Sequence, residues 1–254
     1  MEMKYRNSSF AIDRSPEDEA RFGIRAARCR LTSLEDISHA HEYCRANEIH
    51  LLITRCSTLR LDVVQQLELS GHQLMDTLLY YAFDFTKRSI PEDIVKLTIR
   101  FATAGDAAAI EPVARDSFKG YFGHYHADPR LEYAESNEGY VSWAVNSVVQ
   151  STSAEGPQPV LVAEHEGTLA GFATLRENSA EEGEGVLFGV APEWQGYGIY
   201  RSFMLHFLRW CQSRGMKRAV VSTQITNLPV QKVWVRLGFE PSESYYTFHK
   251  WFDE

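Results

Sequence analysis

The sequence has few cysteines, and they are far apart. Cys29, Cys44, Cys56 and Cys211 include no CxxC pair. This pattern lacks the density of a disulfide-stapled secreted domain. We therefore expect four reduced thiols.

Long apolar runs and basic runs are also missing. No apolar stretch approaches the roughly 18 residues that a membrane helix needs, and the first segment, MEMKYRNSSFAIDR, has no apolar signal core. The net charge of -8 comes without a basic run, so the chain as a whole repels nucleic acid and anionic lipid. We expect a cytoplasmic protein whose partners include neither nucleic acid nor a membrane. An anionic substrate would need local arginine, lysine or backbone amide groups.

What the sequence does contain is typical of a folded, mixed α/β protein. Apolar residues make up 44% and charged residues 24% of the chain, close to ordinary globular proteins. At 254 residues the chain is long enough for one large or two modest domains. Pro91, followed by Glu92 and Asp93, predicts a break. Residues 1–94 would form a smaller N-terminal α/β domain, and residues 95–254 a larger second domain.

Hydrophobic periodicity and capping residues predict the elements of both parts. In the first part we expect a strand at Cys29, a helix beginning at Thr32 or Ser33, a strand over 49–54, a helix over 63–69 and a strand over 72–83. The second part is predicted to begin with a strand over 95–100, a helix capped by Thr103 or Asp106 and a helix in the latter half of 118–150. Strands over 159–167 and 168–178, joined at Glu166 and Gly167, and a strand over 186–190 follow. The last predicted elements are a helix ending near Gly215, a strand over 217–224, a helix over 228–237 ending at Gly238 and a final strand over 244–252.

The segment between residues 186 and 200 carries the clearest chemistry. Gln195, Gly196 and Gly198 fall between a predicted strand and the start of a predicted helix. Glycines there let backbone N–H groups approach a phosphate closely, and the helix dipole favours the anion. A pyrophosphate could dock at this loop, although a plain turn between strand and helix fits the two glycines equally well.

The order of motifs around this loop resembles the GNAT superfamily of acyl-CoA-dependent N-acyltransferases. The motifs are FGV at 188–190, APEWQGYGIY at 191–200, VVSTQ at 220–224, Asn227 and LGF at 237–239. The resemblance implies a GNAT fold over about residues 97–254, with acetyl-CoA or another acyl-CoA as cosubstrate. It assigns Phe188, Gly189 and Val190 to the pantetheine, and Asn227 to the pantetheine or the following helix. It assigns the pyrophosphate to Gln195, Gly196, Tyr197, Gly198, Ile199 and Tyr200.

Two positions depart from the family pattern. Tyr200 stands where the family usually has Gly or Ala, and Trp234 stands where many members have the Tyr that protonates the departing thiolate. An indole cannot serve as that acid, so Trp234 would pack against the thioester or simply within the core. Tyr245 or Tyr246 could supply the proton, as could the incoming ammonium or water.

Further segments resemble bacterial nucleotide-sugar N-acyltransferases of the TDP-fucosamine acetyltransferase kind. They are MDTLLYY at 75–81, YHADPRL at 125–131, GIY at 198–200 and STQITN at 222–227. This resemblance implies a dTDP-linked amino-deoxysugar as acceptor, a place in O-antigen or lipopolysaccharide biosynthesis, and acceptor contacts from Tyr121, Tyr125, His126 and Gln224. It also implies that a partly GNAT-like N-terminal domain contributes to the acceptor site. A homodimer is left open.

Transfer to a sugar amine requires that the ammonium first lose a proton. His126 and Asp128 offer a titratable ring and a carboxylate beside Pro129, and Asp76 offers a carboxylate on a predicted strand. Each could equally be a structural residue that satisfies a turn or a backbone amide. His124 and His126 could be metal ligands, but no further ligands stand at a recognised spacing, so no metal is expected.

The favoured function is direct transfer of an acyl group from acyl-CoA to the amine of a nucleotide-linked amino-deoxysugar, because no cysteine stands where a nucleophile is expected. Two alternatives stay open. The first keeps the chemistry but uses a protein N-terminus, a polyamine or an antibiotic amine, and the acidic net charge fits such a cationic acceptor. The second is a CoA-binding module without catalysis, which the residues at 200 and 234 motivate.

Overall fold

The computed structural model describes residues 10–92, 98–151 and 156–252. Within these ranges the strands are Ile12–Arg14 (β1), Ala26–Leu31 (β2), Leu51–Ser57 (β3), Gln73–Asp84 (β4), Thr98–Phe101 (β5), Val160–His165 (β6), Thr168–Ser179 (β7), Glu182–Val190 (β8), Arg218–Gln224 (β9) and Glu240–Trp251 (β10). The α-helices are Pro16–Phe22 (α1), Leu34–Ala46 (α2), Leu61–Leu69 (α3), Ala107–Ser117 (α4), His124–Ala127 (α5), Tyr133–Gln150 (α6), Ile199–Ser213 (α7) and Leu228–Leu237 (α8). The predicted domain boundary at 94/95 and the first residues of the strand predicted over 95–100 lie outside the described residues.

One mixed sheet contains all ten of these strands, in the order β1-β2-β3-β10-β4-β9-β8-β7-β6-β5. The last strand in sequence, β10, lies between β3 and β4 and is antiparallel to both. On its other edge β4 pairs with β9. The predicted mixed α/β class is confirmed, and strands from both parts of the chain are hydrogen-bonded to one another.

Helices cover both faces of the sheet. On one face α2 and α3 enclose a core that includes Leu52 and Phe248, and α7 and α8 enclose a second core that includes Phe83 and Phe203. On the opposite face α4 and α6 pack over β6 to β8, while Tyr125 of α5 packs against β2 and β3. No helix in the described ranges has the length and apolar character needed to cross a bilayer.

Local signals explain several element boundaries. Ser33 caps α2 through a capping box with Asp36, with Asp36 N to Ser33 Oγ at 3.3 Å. Glu166 and Gly167 join β6 to β7 with φ values of 49° and 80°, as a tight hairpin requires. Gly238 ends α8 in the left-handed conformation with φ 95°. These three predictions are confirmed.

Candidate active site

The pairing between β8 and β9 stops partway along both strands. The parallel register runs from Glu182 opposite Arg218 to Gly185 opposite Val221 and goes no further. On its other edge β8 stays paired with β7 as far as Val190. The edge of β8 over 188–190 therefore offers backbone N–H and C=O groups that no strand takes up. An extended ligand with amide groups can add to such an edge as a strand does.

The N-terminus of α7 lies directly after this edge. Gly196 and Gly198 have φ values of 84° and 82°, and Gly198 is the N-cap of α7 without a side-chain cap. The N–H groups of the first turn are left for an anion. The side chain of Ile199 is buried, so only its backbone can serve this site, whereas Tyr197 is 65% exposed. Gln195 Nε2 donates to the carbonyl oxygen of Val190 at 3.2 Å.

Asn227 and Trp234 both lie beside the separated strands. Asn227 Nδ2 donates to Thr223 Oγ1 at 2.9 Å and so ties the start of α8 to β9. Trp234 is buried, packs on Tyr81 with ring centroids 5.3 Å apart, and donates from Nε1 to the hydroxyl of Tyr200. Trp234 is thus a core residue that also contacts the residue at the other unusual position.

A cavity of about 610 Å³ opens on the opposite face of the sheet. Its walls come from α1, β2, β3, β4, α5, α6, β8 and β9, so both parts of the chain contribute. Val186 and Leu187 of β8 and Thr223 and Gln224 of β9 line it. The cavity therefore reaches the two strands where their pairing ends, and a group bound there can meet one that lies along β8.

The cavity wall carries aromatic side chains together with arginines and glutamates. Four aromatic side chains line it: Tyr121, Tyr125, Tyr140 and Trp143. Three arginines from α1, β2 and β3 also line it: Arg21, Arg28 and Arg55. The sequence prediction missed these arginines. The signal was present in β2, where the alternation Ala26, Arg28, Arg30 puts cations on one face of an otherwise apolar strand.

A buried carboxylate holds part of this wall in place. Asp18 has no exposed surface and accepts from Arg28 Nε and from the Tyr125 hydroxyl, each at 2.6 Å. Burial raises the pKa of Asp18, but the ion pair with Arg28 and the hydrogen bonds outweigh it and lower the pKa to about 2. The ionised carboxylate therefore fixes the positions of one arginine and one tyrosine of the cavity.

Three of the predicted acceptor residues do line the cavity: Tyr121, Tyr125 and Gln224. The Tyr121 hydroxyl donates to Gln224 Oε1, and Gln224 Nε2 lies 3.5 Å from Asp76 Oδ2. The second oxygen of Asp76, Oδ1, is buried and has no hydrogen-bond partner among the described residues. Asp76, predicted as a catalytic carboxylate, thus lies directly behind the cavity wall with one oxygen unsatisfied.

His126, predicted as a base and an acceptor contact, is not among the residues that line the cavity. The N–H of Gly123 donates to His126 Nδ1 at 3.1 Å, so the ring proton lies on Nε2 and faces Asn137 Oδ1 at 3.1 Å. Both nitrogens are engaged and no lone pair is free. The neighbouring histidine, His124, lines the cavity instead.

Asp128 also lies outside the cavity. It is 2% exposed, and its Oδ2 accepts from His249 Nδ1 at 2.7 Å and Trp251 Nε1 at 2.9 Å. Burial raises its pKa, but these donors and the N–H of Arg130 outweigh burial, so the pKa lies below the usual value. Asp128 is an ionised carboxylate that cannot contact a ligand in the cavity directly.

The two tyrosines predicted as general acids do not reach the cavity either. Tyr245 is buried, packs edge-on against Tyr80, and its hydroxyl donates to Glu243. Tyr246 points to the other face of the sheet and packs in the core under α2 and α3. Neighbouring residues of a strand face opposite sides of a sheet, so at most one of the two could serve a given site.

The four cysteines are buried thiols, and none lines the cavity. Burial raises the thiol pKa of Cys44 to about 12 and of Cys56 to about 11, so neither is a thiolate at neutral pH. Among the described residues, no group of three or more His, Cys, Asp or Glu side chains is arranged to hold a metal ion.

Comparisons with known proteins agree with this arrangement. The sequence model of the Acetyltransferase (GNAT) family matches residues 114–239. The spore coat polysaccharide biosynthesis protein SpsD of Bacillus subtilis is 26% identical over 149 residues, which are 58% of this chain and 48% of SpsD. The mycothiol acetyltransferase of Streptomyces bingchenggensis is 34% identical over 89 residues, 35% of this chain and 29% of that enzyme. This chain therefore spans about half of SpsD and less of the mycothiol acetyltransferase.

The fold of a solved structure matches the fold of this chain over almost its whole length. The GCN5-related N-acetyltransferase from Sphaerobacter thermophilus has a TM-score of 0.66 at 13% identity, covering 95% of this chain and 76% of that one. At this identity the likeness shows the fold alone. The match over residues 114–239 places this part of the chain in the GNAT acetyltransferase family, and the fold of the described residues agrees with it.

Proposed function

We propose that the protein transfers an acyl group from acyl-CoA to the amino group of a nucleotide-linked amino-deoxysugar. The observation that carries the proposal is that the unpaired edge of β8 and the cavity meet at the same two strands. A donor on one face of the sheet and an acceptor on the other can then react where the strands separate, which is the positioning that acyl transfer needs.

The donor side fits acyl-CoA in two respects. The edge over 188–190 can pair with the amides of a pantetheine arm, because its groups are not used by β9. The uncapped start of α7, preceded by Gly196 and Gly198, presents N–H groups to a pyrophosphate. The two features follow each other directly in sequence and so suit two adjoining parts of one ligand.

The acceptor side fits an anionic ligand that carries a ring. The cavity volume of about 610 Å³ lies within the usual range for small-molecule sites. Arg21, Arg28 and Arg55 place positive charge where the phosphates of a nucleotide sugar could bind, and Arg21 and Arg28 also pair with Asp18. The aromatic wall suits a base or a sugar ring. The polysaccharide role in the printed name of SpsD supports a sugar-linked acceptor.

The chemistry is direct attack by the amine on the thioester. All four cysteines are buried away from the cavity, so none is placed to form an acyl-enzyme. Acyl transfer without a covalent intermediate needs only a base for the ammonium and a route for a proton to the departing thiolate.

A second acceptor class is favoured by one observation. Glu17, Glu135 and Glu138 also line the cavity and could bind a cationic acceptor such as a polyamine. The charges of the wall thus support two kinds of amine, and the acceptor panel below separates them.

The test is release of the CoA thiol from acetyl-CoA with a panel of acceptors: TDP-linked 3-amino and 4-amino deoxysugars, polyamines and peptides. We expect release that depends on a TDP-linked amino sugar. Release with polyamines or peptides alone would support acyl transfer as the reaction and contradict an amino sugar as the acceptor. Binding of acetyl-CoA without release in any arm would overturn catalysis and leave a CoA-binding module.

A further inference from the structure

A chain of three buried polar side chains ends at the cavity. Asp128 Oδ2 lies 2.7 Å from His249 Nδ1, and His249 Nε2 lies 2.9 Å from His124 Nδ1. The exposed fractions are 2%, 0% and 5% for Asp128, His249 and His124. Of the three residues, His124 alone lines the cavity. The chain therefore connects an inaccessible carboxylate to the acceptor site.

The carboxylate determines where each ring proton lies. Because Asp128 is ionised, it can only accept, so His249 carries its proton on Nδ1. In the neutral form of His249, Nε2 is an acceptor, and His124 then donates to it from Nδ1. His124 Nε2 then carries no proton and has a lone pair. This nitrogen has no hydrogen-bond partner among the described residues.

We propose that His124 is the base that takes a proton from the acceptor ammonium, with His249 and Asp128 as positioning residues. The proposal rests on the function proposed above. A histidine whose far nitrogen is held by a fixed acceptor keeps the tautomer that general-base catalysis requires.

The location of His124 suits this role. Gly123, the residue before it, lies against Gln224: a Cβ added to Gly123 would be 3.5 Å from Gln224 Nε2. Gln224 is the last residue of β9, on the stretch where β9 no longer pairs with β8. His124 thus lies in the part of the cavity wall next to the separated strands.

The surroundings keep the ring neutral. Burial, with contributions from His249 and the arginines of the cavity wall, lowers the pKa of His124 well below its usual value. The charged and titratable groups around it include Arg21 of α1, Arg28 of β2, Arg55 of β3, Tyr125 of α5 and His249 of β10. At neutral pH the ring is uncharged and can accept a proton at Nε2, and its lowered pKa makes it a weaker base than an ordinary histidine.

The proton balance is complete without any other reagent. The ammonium passes one proton to His124 Nε2 and becomes an amine. Its nitrogen forms a bond to the thioester carbonyl carbon as the C–S bond breaks, and the second proton lost by nitrogen goes to the thiolate. His124 then returns its proton to solvent, so each turnover yields an amide, a free thiol and one proton.

The first test determines the tautomers of His124 and His249 in the wild-type protein. It needs no acyl acceptor. Nitrogen-15 NMR of the imidazoles should show the Nδ1–H form for both His124 and His249, with the His124 signals identified by their loss in His124→Asn. An Nε2–H form of His124 would overturn the proposal whatever the activity.

The second test compares thiol release by His124→Asn with that by His39→Asn, an exposed histidine of α2. We expect kcat/KM for the acceptor to fall about 100-fold in His124→Asn, with unchanged acetyl-CoA affinity, and not to fall in His39→Asn. The deficit should shrink as pH rises towards the pKa of the acceptor amine, and added imidazole should restore part of the rate in His124→Ala.

The outcomes distinguish a failure of the His124 assignment from a failure of the proposed function. No release by the wild-type protein with any amine would overturn the proposed function. Release by the wild type that His124→Asn retains at neutral pH would overturn only the assignment of His124. Unchanged acetyl-CoA affinity shows that the variant is folded.

Discussion

The indole N–H of Trp234 donates a hydrogen bond to the hydroxyl of Tyr200 over 2.9 Å. These are the two positions at which the sequence departs from the pattern of its family, and they contact each other. The ring of Tyr200 also packs on Phe188, with centroids 5.4 Å apart, beside the unpaired edge of β8. Burial raises the pKa of Tyr200 above its usual value, so the phenol stays protonated at neutral pH.

This contact predicts that the two residues are thermodynamically coupled. Trp234→Phe leaves the hydroxyl of Tyr200 without its donor, and Tyr200→Phe leaves the indole N–H without its acceptor. Each loss of a partner costs about 1–3 kcal/mol of the free energy of unfolding, whereas the double variant removes both polar groups. We expect the double variant to lose about 1 kcal/mol less than the sum of the single losses, measured by urea unfolding. Additive losses would contradict the coupling.

A second prediction concerns Gly198 at the start of α7. Gly198→Glu places a negative charge beside the proposed pyrophosphate and should weaken acetyl-CoA binding by about tenfold or more. Gly215→Glu is the matched control, because Gly215 also has a positive φ, 70°, but follows the other end of α7. Both changes should cost roughly 1–2 kcal/mol of stability. Equal acetyl-CoA affinity in the two folded variants, by calorimetry, would rule out the loop as the phosphate site.

A third prediction concerns Arg55, one of the arginines that line the cavity. Arg55→Met removes a guanidinium from the cavity, and a charge-assisted hydrogen bond contributes about 1.5–3 kcal/mol. We therefore expect KM for a nucleotide-linked acceptor to rise about tenfold or more, with little change for acetyl-CoA. Arg45→Met, on the exposed surface of α2, serves as the control and should leave both constants unchanged. A KM that does not respond to Arg55→Met would favour the cationic class of acceptor.

A fourth prediction concerns pH. The pKa of Asp18 falls from 3.8 to about 2 on folding. A carboxylate with a depressed folded pKa stabilises the fold above its unfolded pKa and loses that contribution as pH falls. Asp18 should therefore contribute roughly 2 kcal/mol at neutral pH, lost between about pH 4 and pH 2.

The measurement is urea unfolding between neutral pH and the lowest pH at which the wild type still folds. Asp18→Asn should be less stable at neutral pH and should lose less stability on acidification. Asp62→Asn is the control, because Asp62 pairs with Arg60 at the surface, where their side chains are 52% and 40% exposed and solvent screens the pair. Parallel curves for the wild type and Asp18→Asn would contradict the assigned pKa.

How much the sequence predicts depends on how local each feature is. The helix cap at Ser33, the turn at Glu166 and Gly167 and the end of α8 at Gly238 each depend on a few adjacent residues, and all were predicted. The insertion of β10 between β3 and β4 was not predicted, because it joins residues almost 200 positions apart in sequence and no local pattern specifies such a pairing.

The two halves of the candidate site differ in the same way. The donor side lies within one stretch of sequence, from β8 into α7, so its motif can be read directly. The acceptor side collects side chains from eight elements, and Arg55, His124 and His249 come together only through the sheet. The sequence alone does not show which of His124 and His126 lines the cavity, because the direction of each ring depends on contacts with distant residues.

The most direct test of the central claim is transfer of an isotope-labelled acetyl group from acetyl-CoA to a TDP-linked amino sugar. The acceptor is then analysed by mass spectrometry, with the same sugar bearing a hydroxyl in place of the amine as control. We predict that the label appears as an amide on the amino sugar alone, in step with thiol release. Label found on the protein, or released only as acetate, would contradict direct acyl transfer.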